Sequence, residues 1–200
     1  MKRDEVFRDP QGQIVDFVFD IEVAAAFTDM IRRSVPGYEV VVPMTGLLAG
    51  KALAQTDNTV VYDLGCSLGA TTLSVLRACE NPELHINAVD NSAAMLARAR
   101  ELVTDPRVNF IETDISTMQF DACSAVLMNW IAQFLKPQTR LDVLRRIRER
   151  LEPGGVLIVS EKIRFDDPAE QENCEAAHLE FKRANGLSLI HISEPTRLDA

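Results

Sequence analysis

Five short runs of apolar, β-branched residues, interleaved with segments of helical character, constrain this chain more than any other feature. The runs are Thr59–Asp63, Leu84–Asp90, Val108–Glu112, Ser124–Asn129 and Val156–Ser160. Apolar residues at successive rather than alternate positions suit a strand buried on both faces. Ala70–Cys79, Ser92–Val103 and Gln138–Leu151 lie between the runs and read as helices. This alternation predicts an α/β fold, a Rossmann-like, mostly parallel sheet with helices on both faces and right-handed crossovers.

Ahead of the first run the pattern differs. Residues 1–20 are polar and interrupted by Pro10, which predicts an irregular arm. From Ile21 to Arg33 apolar residues fall at Val23, Phe27, Met30 and Ile31, the stripe of an amphipathic helix, and Pro36-Gly37 stops it. A second helix is expected over Met44–Leu53, against the helix-weakening Gly46 and Gly50.

A chain of 200 residues with 46% hydrophobic content can bury one sizeable core. Its net charge of −9 argues against direct tRNA or other nucleic-acid binding, which calls for a basic patch or stripe. Cys66, Cys79, Cys123 and Cys174 have no paired spacing, and His85, His178 and His191 show no ligand spacing, so neither a disulfide framework nor a metal is expected. No apolar run reaches the roughly 18 residues of a membrane helix. The charged MKRDEVFRDP start has no apolar segment of a secretory signal behind it, so a cytoplasmic protein with no membrane association is expected.

The chemistry gathers where strands meet helices. Asp63-Leu-Gly65-Cys-Ser67-Leu-Gly69 stands at the first such turn, where Gly65 permits a tight turn near a ligand and Gly69 permits close helix packing. Ser67 replaces the middle glycine of the nucleotide fingerprint, so an ordinary βα turn is a rival reading. Asp90, at the end of the second strand, is placed to accept from two ribose hydroxyls, with Asn91 beside it and Ser92 free to cap the next helix. Asp114 follows the third strand and can accept from an adenine amine while Ile115 covers the ring; Asp114 can equally be a turn residue. Asn129 ends the fourth strand, but Trp130-Ile131-Ala132 departs from the Asn-Pro-Pro-Tyr signature of amino-methyltransferases. Leu151–Gly155 reads as the turn into the fifth strand. No nucleophile–base pair stands out.

Several segments together resemble the carboxy-S-adenosyl-L-methionine synthase family: Ser34–Tyr38, Tyr62–Ala70, Val89–Ser92, Gln133–Leu135, Pro153–Gly155, Ser160–Lys162 and Phe181–Gly186. The first and last are not general methyltransferase features, and the likeness runs from about Arg3 to Gly186. It implies a homodimeric enzyme on a methyltransferase fold that uses prephenate to carboxylate the sulfonium methyl of S-adenosyl-L-methionine, with phenylpyruvate released. The product would serve a separate transferase that modifies wobble uridine in tRNA. Prephenate would supply both carbon dioxide and the base that strips the methyl proton, leaving the protein to position and to exclude water. Carried over by motif, the contacts to S-adenosyl-L-methionine would be Tyr38, Gly65, Cys66, Ser67, Asp90, Asn91, Asp114, Ile115 and Asn129, with Cys66 and Ile115 contributing backbone or van der Waals contacts. Residues 1–55 would be an arm and helices covering that site, and 56–186 the Rossmann-like core.

After Gly186 the resemblance stops. Leu187–Arg197 matches the translation of a transposon adapter used in sequencing libraries, so 187–200 reads as a non-native tail. The family's C-terminal strands, and an arginine that grips the new carboxylate, are expected beyond that point. Rival readings are an ordinary S-adenosylmethionine-dependent methyltransferase, which shares every core motif, a non-catalytic fragment, and a nicotinamide-binding domain, which Ser67, Asp114 and Asn129 disfavour.

Overall fold

Parallel pairing organises the centre of the chain. The computed structural model describes residues 21–187, so the arm expected over 1–20 and the tail beyond Leu187 lie outside the described residues. Strands β1 (Val60–Leu64), β2 (His85–Asp90), β3 (Val108–Glu112), β4 (Cys123–Asn129) and β5 (Leu151–Ser160) form one sheet in the order β3-β2-β1-β4-β5. Every neighbouring pair is parallel, as the crossover helices require. Helices α1 (Ile21–Ser34), α2 (Tyr38–Leu53), α3 (Ala70–Ala78), α4 (Ala93–Leu102), α5 (Pro137–Arg150) and α6 (Pro168–Ala184) complete the described elements, with a 3₁₀ turn at Ala132–Phe134. The expected sheet runs are all present, with ends shifted by a few residues.

Successive side chains of β1 and β4 leave on opposite faces, and each face has its own core. Val61, Ala125 and Leu127 pack with Ala49 and Leu53 of α2 and Val75 of α3. Tyr62, Leu64, Val126 and Met128 pack on the other side with Val143 and Ile147 of α5 and with Ile115 and Phe120. Tyr62 meets Phe120 edge-on at 5.3 Å, and its hydroxyl accepts the Asp121 N–H at 3.0 Å.

Three departures from the sequence reading have local causes. Helix α2 begins at Tyr38, six residues ahead of Met44, and keeps both glycines because they face α3. A Cβ at Gly46 would lie 2.6 Å from the Ser74 carbonyl oxygen, and one at Gly50 would lie 2.9 Å from that of Ala78. Close backbone approach therefore outweighs helix propensity. Leu151–Gly155 is not a separate turn: Leu151 pairs with Cys123 and Val156 with Ala125, so the Pro153-Gly154-Gly155 stretch is a bulge inside β5. Proline cannot donate to the ladder, which explains the interruption. Helix α6 has no counterpart in the sequence reading; Asp167 caps it by accepting the Ala169 N–H at 3.0 Å, with Pro168 in its first turn.

The described residues fall into two compact units, one of 21–39 with 163–187 and one of Val40–Lys162. Helix α2 packs on α3 in the second unit, and α1 packs on α6 in the first. In the first unit Arg33 donates to the carbonyls of Asn185 at 3.3 Å and Gly186 at 3.0 Å, and pairs with Asp29 at 2.8 Å. That bond links α1, just ahead of Ser34–Tyr38, to Phe181–Gly186, so the segments that set the sequence apart from general methyltransferases fall within one unit.

Candidate cofactor site

All the strands run the same way, so the segments after β1, β2, β3 and β4 collect along one edge of the sheet. The order reverses between β1 and β4, the place where open α/β sheets hold ligands. Gly65, Cys66 and Ser67 leave the end of β1 there, Asp90 closes β2, Asp114 stands two residues past β3, and Asn129 closes β4.

The β1–α3 loop requires left-handed backbone. Gly65 has φ +69°, and a Cβ there would overlap the Ile131 side chain, so glycine is needed for both conformation and space. Ser67 takes φ +52° although it is not glycine, which costs on the order of 1 kcal/mol or more. The bonds around it offset that: its N–H donates to Asp90 Oδ2 at 2.9 Å, and the Cys66 N–H donates to the Val89 carbonyl at 2.9 Å.

Asp90 is held from both sides. Its Oδ1 accepts the Ser92 N–H at 2.9 Å, while Ser92 caps α4 by accepting the Met95 N–H at 3.2 Å. Burial pushes the Asp90 carboxyl above its ordinary value, against the pull of the Ser92, Ser67 and Asn91 amides. A carboxylate has about four acceptor positions, so the group keeps acceptor capacity beyond these amides. Asn91 itself is exposed.

Asp63 was legible as part of the motif but not as a buried carboxyl. It is 2% exposed, and its Oδ2 accepts the Thr72 hydroxyl at 2.6 Å. Helix α3 starts at a left-handed Gly69 with no side-chain cap, and Asp63 serves its first turn from the strand instead, accepting from Thr72. Burial lifts its carboxyl to about 6, the Thr72 bonds lower it, and the charge of Asp90 raises it further.

The remaining positions differ in how they are engaged. Cys66 is buried, and burial drives its thiol far above the ordinary range, which disfavours the thiolate form. Asp114 is exposed and accepts the Ser116 N–H through Oδ1 at 2.8 Å, so it is a turn residue that keeps Oδ2 available. The Ile115 side chain is buried in the α5-side core. Asn129 accepts from Thr45 of α2 at 3.3 Å and donates to Thr71 of α3 at 3.1 Å, tying both helices to β4. Tyr38 opens α2, donates its N–H to the Val35 carbonyl at 3.3 Å, and belongs to the other unit.

Sequence reasoning missed the segment after β4. Trp130 is left-handed at φ +56° and donates its N–H to the Ser160 carbonyl at 2.6 Å, while Glu161 accepts the Ala132 N–H. That arrangement delivers Ile131 onto Gly65, a contact no sequence motif signals. No group of three His, Cys, Asp or Glu able to hold a metal occurs among the described residues. No described helix is long and apolar enough to cross a membrane.

Comparison with known proteins agrees with this geometry. A family model described as a methyltransferase domain matches residues 61–155. Among solved structures, the plantazolicin methyltransferase BpumL in complex with SAH aligns with a TM-score of 0.60 at 13% identity, covering 84% of this chain and 63% of that one. The N-methyltransferase NodS from Bradyrhizobium japonicum WM9 aligns at 0.51 and 17% identity, covering 66% and 71%. These identities speak to the fold alone. Closer in sequence is the carboxy-S-adenosyl-L-methionine synthase of Pseudomonas putida strain GB-1, 46% identical over 199 residues that cover 96% of this chain and 80% of that protein. Its namesake from Shewanella sp. strain W3-18-1 is 44% identical over 196 residues with the same coverage. Such identity over nearly the whole chain, on a Rossmann-like methyltransferase fold, makes this protein a member of the carboxy-S-adenosyl-L-methionine synthase family of enzymes.

Proposed function

We propose that this chain binds S-adenosyl-L-methionine at the β1–β2–β3–β4 edge and transfers to its methyl carbon a carboxyl group derived from prephenate. The observation that carries the reading is the Asp90 carboxylate, fixed by the Ser67 and Ser92 amides beside the left-handed Gly65 turn. Its remaining acceptor capacity suits ribose hydroxyls, the Gly65 turn brings backbone to the same edge of the sheet, and Asp114 Oδ2 suits the adenine amine. Asn91 and Asn129 complete the contacts within the Val40–Lys162 unit, with Cys66, Ser67 and Ile115 contributing backbone or surface.

For the reaction, the residues offer positioning rather than covalent chemistry. The Cys66 thiol is held protonated by burial, and the Asp63 carboxyl is committed to Thr72. A second substrate that brings its own carboxyl group and its own base fits such a site. The protein would align the two substrates and keep water from the reacting carbon.

The same reading takes the product to wobble-uridine modification of tRNA by another enzyme, in the cytoplasm, without direct tRNA binding by this chain. The net charge of −9 supports that last point. It also takes the protein to be a homodimer, which the exposed apolar residues Val40, Met44, Leu47 and Leu48 along α2 support.

The test is the mass of the cofactor after incubation of the purified protein with S-adenosyl-L-methionine and prephenate. The expected product is heavier by one carboxyl group and forms only when prephenate is present. Accumulation of S-adenosyl-L-homocysteine with a methylated acceptor, and no carboxylated product, would establish an ordinary methyltransferase instead.

A further inference from the structure

We infer that Arg146, on α5 and outside every motif considered above, is a positioning residue for adenine recognition. The inference rests on the reading that Asp114 accepts the adenine amine. The turn at 114–118 is folded back on Asp114: its Oδ1 accepts the Ser116 N–H at 2.8 Å, and its carbonyl accepts the Thr117 and Met118 N–H groups at 3.1 Å each. With the amides drawn to that side, the turn leaves carbonyl groups that need donors from elsewhere.

Arg146 supplies them. Nη2 donates to the Ser116 carbonyl at 2.6 Å and reaches the Ile115 carbonyl at 3.5 Å, Nη1 donates to the Met118 carbonyl, and Nε donates to the Asp142 carbonyl at 3.4 Å. One planar fork thus clamps three carbonyls of the turn that carries Asp114 and Ile115. Arg146 has no acidic partner among the described residues, so its donors serve backbone carbonyls alone. Lysine cannot reproduce the arrangement, because its ammonium is a single point of donation without the rigid fork. Ile115 is anchored as well by its side chain, buried in the core with Val143 and Ile147 of the same helix, α5. These restraints fix the backbone that carries Asp114, and the Ser116 N–H holds its Oδ1 at 2.8 Å, so the acceptor is placed before a ligand arrives and less ordering is left for binding.

The readout is the ratio of dissociation constants for S-adenosyl-L-homocysteine and S-inosyl-L-homocysteine, in which a carbonyl acceptor replaces the amine donor. The full chain should prefer the adenosyl compound by about tenfold or more, the scale of one charge-assisted hydrogen bond. Arg146→Lys and Arg146→Met should each bring the ratio close to one, mainly by weakening the adenosyl compound. Both ligands are measured on the same sample, so a reduced folded fraction cancels from the ratio. If Arg146→Met does not fold, Arg146→Lys, which keeps the stem and the charge, still reports. Asp114→Asn separates the two ideas. A ratio unchanged in Asp114→Asn removes the adenine reading itself. A ratio that collapses in Asp114→Asn but persists in the Arg146 variants, or Arg146 variants that weaken both ligands equally, overturns the inference.

Discussion

The Ser67 N–H donates to Asp90 Oδ2 at 2.9 Å and, with the Cys66 N–H to Val89 carbonyl bond, locks the loop after β1 to the end of β2. The left-handed Ser67 backbone makes that amide point at the carboxylate, and the carboxylate in turn helps to hold the strained residue. Pre-organisation of this kind lowers the ordering cost of binding.

Replacing Asp90 with alanine removes both the proposed ribose contacts and the anchor of the loop. Affinity for S-adenosyl-L-homocysteine should fall by about 1.5–3 kcal/mol, roughly tenfold to more than a hundredfold. Asp90→Asn, which keeps an acceptor for Ser67, should lose less. Calorimetric titration of the three proteins checks this, and equal affinities would remove Asp90 from the site.

Asp63 makes stability depend on pH with a definite sign. Burial raises its carboxyl from an ordinary 3.8 to about 6, so between those values the folded protein holds a proton that the unfolded chain has released. Stability from this group is therefore present at low pH and is lost as pH rises through about 6, by about 3 kcal/mol. Asp63→Asn cannot titrate and should lack this component. Urea unfolding of both proteins from pH 4 to 7.5 should show wild type losing ground to the variant as pH rises. A gain by wild type over the same range would mean that Asp63 is ionised and favourably paired in the fold.

Gly65→Ala should destabilise the chain by about 1–2 kcal/mol from its left-handed backbone alone. The overlap of the new methyl with Ile131 adds to that. In an Ile131→Ala background the cost of Gly65→Ala should shrink by about 0.5–1 kcal/mol, because the added methyl then has room. A double-mutant cycle of unfolding free energies measures this, and strict additivity would show that the two residues do not meet.

The sheet was legible because its signals are local. A strand buried on both faces is largely apolar along its length, and β1, β2 and β4 carry such runs in sequence and are largely buried in the fold, with Asp63, Asn87 and Ser124 as buried polar exceptions. Ser92 advertised its cap, and the acidic residue at the end of β2 advertised its place at the strand terminus. Helix α6 went unread although Asp167-Pro168 opens it, because its largely exposed surface shows no clear apolar stripe.

Sequence by itself thus determined the alternation of strand and helix, hence the parallel order, and with it which loops would gather at one edge. Tertiary structure alone decided how those loops are held. The helical glycines of α2 look destabilising until the backbone of α3 arrives against them, Ile131 acquires its role only by landing on Gly65, and Arg146 meets the 115–118 carbonyls only through folding of α5 across the sheet. These contacts join residues some 28 to 66 positions apart by close approach of backbone and side chain. Propensity and periodicity act over a few residues, so they are silent on such pairs.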